Sequence, residues 1–298
     1  MISVITINYN NIPVTREMLA SLSVFPRHNL EVIVVDNGSK EHAGQLATEF
    51  PWIHFVRSEV NLGFAGGNNL GVSLATGDYL FFVNNDVEFT ENLFEALSHQ
   101  LVNHPEIGAI SPILYYYEEP RTVQYAGFTP INRVTGRNRI VKELPGKLVS
   151  TAFAHGAAMM MPREVYDKVG PMPENYFLYY EEMDWCEQIK RLGYRIAVDG
   201  TCSLLHKESR SVGLISELKS YFMSRNRLLF MRRNSKRVLL PMVWLYFVAI
   251  VSPKQILSYA FKKQWANAKA HLAGIWWNLT SPIDSTSLGY KFNHMNQS

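Results

Sequence analysis

The sequence predicts an α/β protein with a mostly parallel central sheet flanked by helices. Short apolar runs of strand length end abruptly in polar side chains, as parallel strands covered on both faces do. Helical segments alternate with these runs through the first half of the chain, the rhythm of a sheet with helices on both faces. The polar residues that close the runs, among them Asn8, Asp36 and Asn84-Asn85-Asp86, would then meet beyond the carboxyl ends of the strands, where open α/β sheets gather ligands.

Strands are expected at Ser3–Ile7, Glu31–Val35, His54–Arg57 and Tyr79–Val83, with helices near Pro13–Leu22, Lys40–Glu49 and Phe64–Ala75. Pro13 suits a first helical turn, and Ser39 is placed to cap the helix that follows it. Asn92–Asn103 has Leu93, Phe94, Leu97 and Leu101 on one side of a helix. From Thr129 to Lys147 the periodicity breaks, and Arg133, Arg137, Arg139 and Lys142 sit among Gly, Asn and Pro as in a long mobile loop. Order returns with Phe153–Met161, a short helix opened by Pro162, a helix over Glu181–Leu192 stopped by Gly193, and a strand at Tyr194–Val198. Trp185, Ile189 and Leu192 fall on one helical face and read as core.

Past about Gly213 the chain turns basic and aromatic. Tyr221–Asn234 holds Arg225, Arg227, Arg232 and Arg233, and Val238–Val251 is almost wholly apolar. That apolar stretch is shorter than the ~20 residues of a spanning helix. With Lys254, Lys262, Lys263, Trp265, Trp276 and Trp277 nearby, it suits either a helix lying in a membrane interface or a hairpin packed on the main domain. The chain therefore divides into a unit of residues 1–212, with halves of about 1–105 and 106–212, and a helical C-terminal region, 213–298.

A formal charge of +3 over 298 residues is too small to indicate nucleic acid. Two cysteines, Cys186 and Cys202, form neither a disulfide framework nor a metal cluster, which favours a reducing compartment. The first residues read as a strand, not a signal peptide, and without an export signal the sequon Asn278-Leu279-Thr280 is read as chance.

Several polar positions admit two readings. Asp86 is either a turn residue or a carboxylate placed to hold a divalent cation. Asp36, in Asp36-Asn37-Gly38-Ser39, is either turn chemistry or an acceptor for a nucleoside base or ribose. The run from Asn61 to Gly71 lets backbone approach a ligand at a helix N-terminus, although its glycine spacing is not that of a dinucleotide fingerprint. Glu181, Glu182 and Asp184 either complement a helix dipole or supply a general base.

Taken in order, Thr6-Ile7-Asn8-Tyr9-Asn10, Val35-Asp36-Asn37-Gly38-Ser39, Asn61-Leu62-Gly63-Phe64-Ala65-Gly66-Gly67-Asn68, Asn84-Asn85-Asp86, Tyr179-Tyr180-Glu181-Glu182-Met183-Asp184 and His206 resemble the family 2 glycosyltransferases of the GT-A fold, and among them the bacterial rhamnosyltransferases. The resemblance implies that Thr6, Asn8, Asn10, Asp36, Asn61, Gly63, Phe64, Gly66, Asn68, Asn84 and Asn85 surround a nucleotide sugar. Asp86 would bind Mg²⁺ or Mn²⁺ with His206. Asn84 stands at the first position of the family's Asp-X-Asp motif, where an amide is a weaker ligand than a carboxylate. Glu182 would be the base of an inverting displacement, with Asp184 and then Glu181 as the next choices. Glu182 occupies a place where the family usually has Asp, one methylene shorter.

The implied reaction moves a sugar, L-rhamnose from dTDP-rhamnose, to a hydroxyl of a glycan or lipid-diphosphate-linked saccharide. It belongs to surface polysaccharide synthesis at the cytoplasmic face of the membrane. The alternatives are transfer from another nucleotide sugar such as a UDP-hexose, or a non-catalytic nucleotide-sugar-binding protein. A sugar nucleotidyltransferase would carry a Gly-rich, Arg-bearing loop after the first strand, where this chain has Asn8-Tyr9-Asn10-Asn11.

Overall fold

The computed structural model describes residues 1–207 and 216–290. The elements of the first half are β1 (Ile2–Asn8), α1 (Ile12–Ser23), β2 (Leu30–Asn37), α2 (Gln45–Glu49), β3 (Ile53–Ser58), α3 (Gly63–Val72), β4 (Tyr79–Val83), β5 (Val87–Glu88) and α4 (Phe94–Asn103). There follow β6 (Ile107–Tyr116), β7 (Val123–Tyr125), β8 (Leu148–Thr151), β9 (Ala158–Pro162), α5 (Arg163–Val169), α6 (Glu181–Arg191) and β10 (Arg195–His206). The remainder is helical: α7 (Glu217–Asn234), α8 (Leu240–Tyr246), α9 (Ser252–Phe261) and α10 (Trp265–Thr280).

The strands form one ten-stranded sheet in the order β3-β2-β1-β4-β9-β6-β10-β5, with β7 added to β6 and β8 to β10. Its first half, β3-β2-β1-β4, is parallel as expected. The sheet as a whole is mixed, because β9 enters antiparallel to both β4 and β6. The long strand β6 was not anticipated; it lies in a run of apolar residues interrupted by Ser111 and Pro112, which has no clear period. Residues alternate between faces along each strand. Val4, Val32, Val34 and Phe81 feed one apolar layer, and Ile5, Ile33, Val35 and Phe82 feed the other.

The order places Asn8 beside Asp36 at the carboxyl end of the parallel half. Gly38, at φ +73°, begins the turn after β2, where a Cβ would meet the Val60 backbone at 2.5 Å. This turn alters an expectation. Ser39 does not cap a helix from Lys40; its hydroxyl accepts from Asn8 Nδ2 and from the Asn10 amide, and α2 starts only at Gln45. Leu192 likewise leaves the expected core face. It is the C-cap of α6 and largely exposed, while Trp185 and Ile189 are fully buried.

The segment from Thr129 to Lys147 is tied down at several points, not left free. Arg133 pairs with Glu187 at 3.1 Å and donates to the Asn234 carbonyl, while Phe128 and Ile140 form an isolated bridge.

The boundary expected at residues 212 and 213 lies outside the described residues. The C-terminal region is helical, and its first helix is built into the core. Leu228, Leu229, Phe230 and Met231 of α7 are fully buried in the layer that holds Phe82 and Trp185, each worth roughly 1.5–3 kcal/mol of transfer free energy. Helix α10 packs along α7: Gly274 abuts the Tyr221 carbonyl, and Asn278 Nδ2 donates to the Arg225 carbonyl. The expectation of a short apolar segment at Val238–Val251 is corrected. Helix α8, a π-helical turn at Phe247–Val251 and α9 run together, so that Arg237–Phe261 is a single 25-residue helix. Pro253 falls in the first turn of α9, and the wider π turn before it accommodates the missing donor. By length and composition this helix is sufficient to cross a membrane, and Met242, Leu245, Val248, Ile250 and Leu257 on it are exposed.

Candidate active site

Strand ends at the carboxyl side of the sheet supply two polar layers. In the lower one, Asp36 is fully enclosed. Its Oδ1 accepts from Asn8 Nδ2 at 3.1 Å, and its Oδ2 pairs with Arg57 Nη1 at 2.5 Å. Asn8 Oδ1 in turn accepts from Thr15, whose hydroxyl also accepts from Asn85 Nδ2. Asn37 continues the layer, donating to Asn61 Oδ1 and the Gly63 carbonyl while accepting from the Leu62 amide. Asn68 is buried and donates to the Phe64 carbonyl; Thr6 is fully buried within β1. Thr6, Asn8, Asp36 and Asn68, expected against a nucleotide, are therefore enclosed, and Asn8 and Asp36 tie the strand ends and loops together. Asn10, Asn61, Phe64 and Asn84 are the members of the expected set with exposed or partly exposed surface.

The upper layer holds Asp86, just beyond β4. Its backbone carbonyl accepts from the Lys207 amide, which brings the end of β10 alongside. His206 thereby places Nε2 3.2 Å from Asp86 Oδ1. Both atoms are buried and neither makes a hydrogen bond among the described residues. His206 Nδ1 lies 2.8 Å from Gln124 Oε1; with the ring proton on Nδ1, the Nε2 lone pair faces Asp86. Facing orphaned acceptors fit a divalent cation, and a second partner on the far ring nitrogen is how metal-binding histidines are oriented. No group of three or more His, Cys, Asp or Glu is arranged to hold a metal ion among the described residues. Two protein ligands suffice for a cation that completes its shell with water and phosphate oxygens.

His155 adjoins this pair. Its ring meets the His206 ring edge-on at 5.9 Å and stacks on Phe128. Burial, with help from His206 and against Asp86, pushes His155 down to about 3. The next residue, Gly156, reaches the acidic helix: a Cβ there would stand 3.5 Å from Glu182 Cγ. The Asn84 amide donates to the Ala157 carbonyl. The segment His155-Gly156-Ala157 thus joins Asp86 and His206 to the first turn of α6.

The carboxylates of that turn differ. Asp184 is fully enclosed, accepting from Asn234 Nδ2 and Gln188 Nε2 with Arg233 nearby. It fastens α7 to α6 and offers no free face to a substrate. Glu181 is buried with Oε2 unpartnered among the described residues, and burial, then the neighbouring Glu182, holds its carboxyl well above the usual range. Glu182 is partly exposed, and burial raises it too.

The approach to α6 is strained. Phe177, Tyr179 and Tyr180 all have positive φ, between 65° and 76°, a costly conformation for aromatic residues. Asn226 of α7, fully buried, lies within 2.9 Å of the Tyr176, Leu178 and Tyr179 carbonyls through Nδ2. Its Oδ1 accepts from Arg225. On the other side the Phe177 carbonyl accepts from the Phe64 amide at 2.7 Å, and Gly63 is needed because a Cβ would collide with that carbonyl. The turn therefore couples the glycine-rich start of α3 to the acidic start of α6. Sequence reasoning missed Gln124, His155 and Asn226. His155 has a faint signal, a single polar residue followed by glycine before an apolar strand; Gln124 and Asn226 have none.

A parallel half-sheet with a polar loop cluster at its carboxyl end, a strand-end aspartate and an acidic helix is the architecture of GT-A glycosyltransferases. Residues 3–170 match the model described as glycosyl transferase family 2, and the chain belongs to that family. A low-salt glycan biosynthesis hexosyltransferase of Haloferax volcanii is 26% identical over 78% of this chain and 76% of its own. An N-acetylglucosaminyl-diphospho-decaprenol L-rhamnosyltransferase of Mycobacterium tuberculosis is 22% identical over 72% and 78%. A dTDP-rhamnosyl transferase of Shigella flexneri is 22% identical over 79% and 81%. Among solved structures, a mannosyltransferase of Pyrobaculum calidifontis in complex with GDP-Man and Mn²⁺ superposes with TM-score 0.57 at 17% identity, covering 94% of this chain and 87% of that one.

Proposed function

We propose that the chain is an inverting transferase that moves L-rhamnose from dTDP-rhamnose to a hydroxyl of a glycan or lipid-linked saccharide in cell-surface polysaccharide synthesis. The observation that carries the chemistry is the joining of Asp86 and His206 to Glu182 through His155-Gly156-Ala157. Rhamnosyltransferases among the relatives support the donor.

In this reading Asp86 and His206 hold Mg²⁺ or Mn²⁺. The cation supplies Lewis-acid stabilisation of the departing nucleoside diphosphate. Asn10, Asn61, Gly63, Phe64, Gly66, Asn84 and Asn85 line or support the nucleotide-sugar site over the buried scaffold of Thr6, Asn8, Asp36 and Asn68. Glu182 accepts the acceptor hydroxyl's proton while that oxygen bonds to the anomeric carbon and the carbon–oxygen bond to the diphosphate breaks. A raised carboxyl pKa suits a base that must work on a weakly acidic hydroxyl. Glu181 and Asp184 support the turn. Residues 1–212 act as the transferase unit, with a donor half of about 1–105 and an acceptor half of about 106–212. The region 213–298 holds it on the inner face of the cell membrane, supported by the exposed apolar side of Arg237–Phe261.

Transfer or hydrolysis measured over a panel of dTDP-rhamnose, UDP-hexoses and GDP-mannose, with and without Mn²⁺, tests the reading. Metal-dependent turnover of dTDP-rhamnose above the others is expected. Preference for another sugar overturns the donor, and tight nucleotide binding without any turnover overturns the enzyme.

A further inference from the structure

A cavity of about 350 Å³ lies between α7, the helix Arg237–Phe261 and the start of α10. Lys219, Arg227 and Lys262 line it, and no carboxylate does among the described residues. Arg227 stacks over Phe247 at 4.8 Å, and its Nη2 donates to the Thr135 carbonyl; its Nε, buried beside Gly136, has no hydrogen-bond partner among the described residues. Ser220, Tyr259 and His271 add polar surface. His271 is buried, and burial followed by Arg227 pushes it down to about 4, so it brings hydrogen bonding without charge. One wall is Tyr180, which directly precedes the acidic turn of α6. Another wall is the helix Arg237–Phe261, from which Phe247 and Val251 reach in beside Gln255, Ser258 and Tyr259, while Val248 and Ile250 on it are exposed.

A cationic chamber with one wall at the catalytic turn and another on an exposed apolar helix matches a ligand that is anionic at one end and hydrocarbon at the other. We propose that this cavity is the subsite for the diphosphate of a lipid-linked acceptor, with Lys219, Arg227 and Lys262 as its cationic partners and the lipid chain leaving along Arg237–Phe261. The inference rests on the transferase reading above and adds where the acceptor is held. A diphosphate here keeps the lipid end behind Tyr180 and leaves the saccharide to extend toward Glu182.

The test uses the full chain and flotation with vesicles, in the absence of any donor sugar or metal, so that its outcome is independent of turnover. Phosphatidylcholine vesicles carrying a polyprenyl diphosphate are compared with plain phosphatidylcholine and with phosphatidylglycerol vesicles of equal surface charge. The wild type is expected to bind the diphosphate vesicles about tenfold or more tightly than either control. Inorganic pyrophosphate is expected to compete this gain away. The double variant Lys219→Gln, Lys262→Gln, checked for an unchanged melting temperature, is expected to fall to the level of the phosphatidylglycerol control. Equal binding to phosphatidylglycerol, an undiminished preference in the double variant, or failure of pyrophosphate to compete each overturns the proposal.

Discussion

Asp86 Oδ1 stands 3.2 Å from His206 Nε2, and neither atom has a hydrogen bond among the described residues. Two buried acceptors left face to face cost free energy. In the proposed reading, a divalent cation held by Asp86 and His206 would remove that cost.

Replacing Asp86 by Ala is therefore expected to remove metal-dependent transfer by about 10²–10³-fold, since a Lewis acid contributes several kcal/mol at the transition state. Far-ultraviolet circular dichroism should be unchanged. Wild-type Mn²⁺-dependent rates in this variant would refute the assignment.

Gln124 has no reason to touch substrate, yet it holds His206 Nδ1 at 2.8 Å. Gln124→Ala is expected to weaken Mn²⁺ affinity by roughly 10–100-fold. Electron paramagnetic resonance titration of Mn²⁺ reads this directly, and saturating Mn²⁺ should restore most of the rate. An unchanged titration would leave Gln124 a packing residue.

Glu182→Gln should lower kcat by about 10²–10⁴-fold with little change in donor binding. Burial raises the Glu182 carboxyl, and a base acts only when deprotonated. Activity should thus climb as pH rises through a value above the ordinary carboxylate range and be lost below it. A pH–rate profile whose acid limb lies at or below an unperturbed carboxylate, ~4.3, would contradict this role.

Asn226 serves three carbonyls of the strained approach to α6. Asn226→Ala is expected to cost roughly 2–3 kcal/mol, a melting-temperature fall of roughly 3–5 °C for a chain of this length. Asn226→Asp, which cannot donate, should behave alike. A neutral effect in thermal denaturation would show that the turn holds its positive φ values unaided.

The sequence by itself determined the parallel half of the sheet and the identity of the polar strand ends. Apolar runs closing in Asn8, Asp36 and Asp86 are local patterns, and period and composition carry them. It also marked the acidic turn before Trp185. Only the tertiary structure decided which of those side chains face outward. Asp36 and Asp184 are both carboxylates at expected site positions, yet Arg57 encloses one, and Asn234 and Gln188 the other. Gln124, His155 and Asn226 come from parts of the chain remote in sequence, brought in by β7, the approach to β9 and α7. The continuity of Arg237–Phe261 past Pro253 was likewise a matter of backbone geometry, settled by a π turn that leaves no mark in composition. Local periodicity reports what a residue does for its own element; burial and partners depend on contacts between distant segments, which no short pattern records.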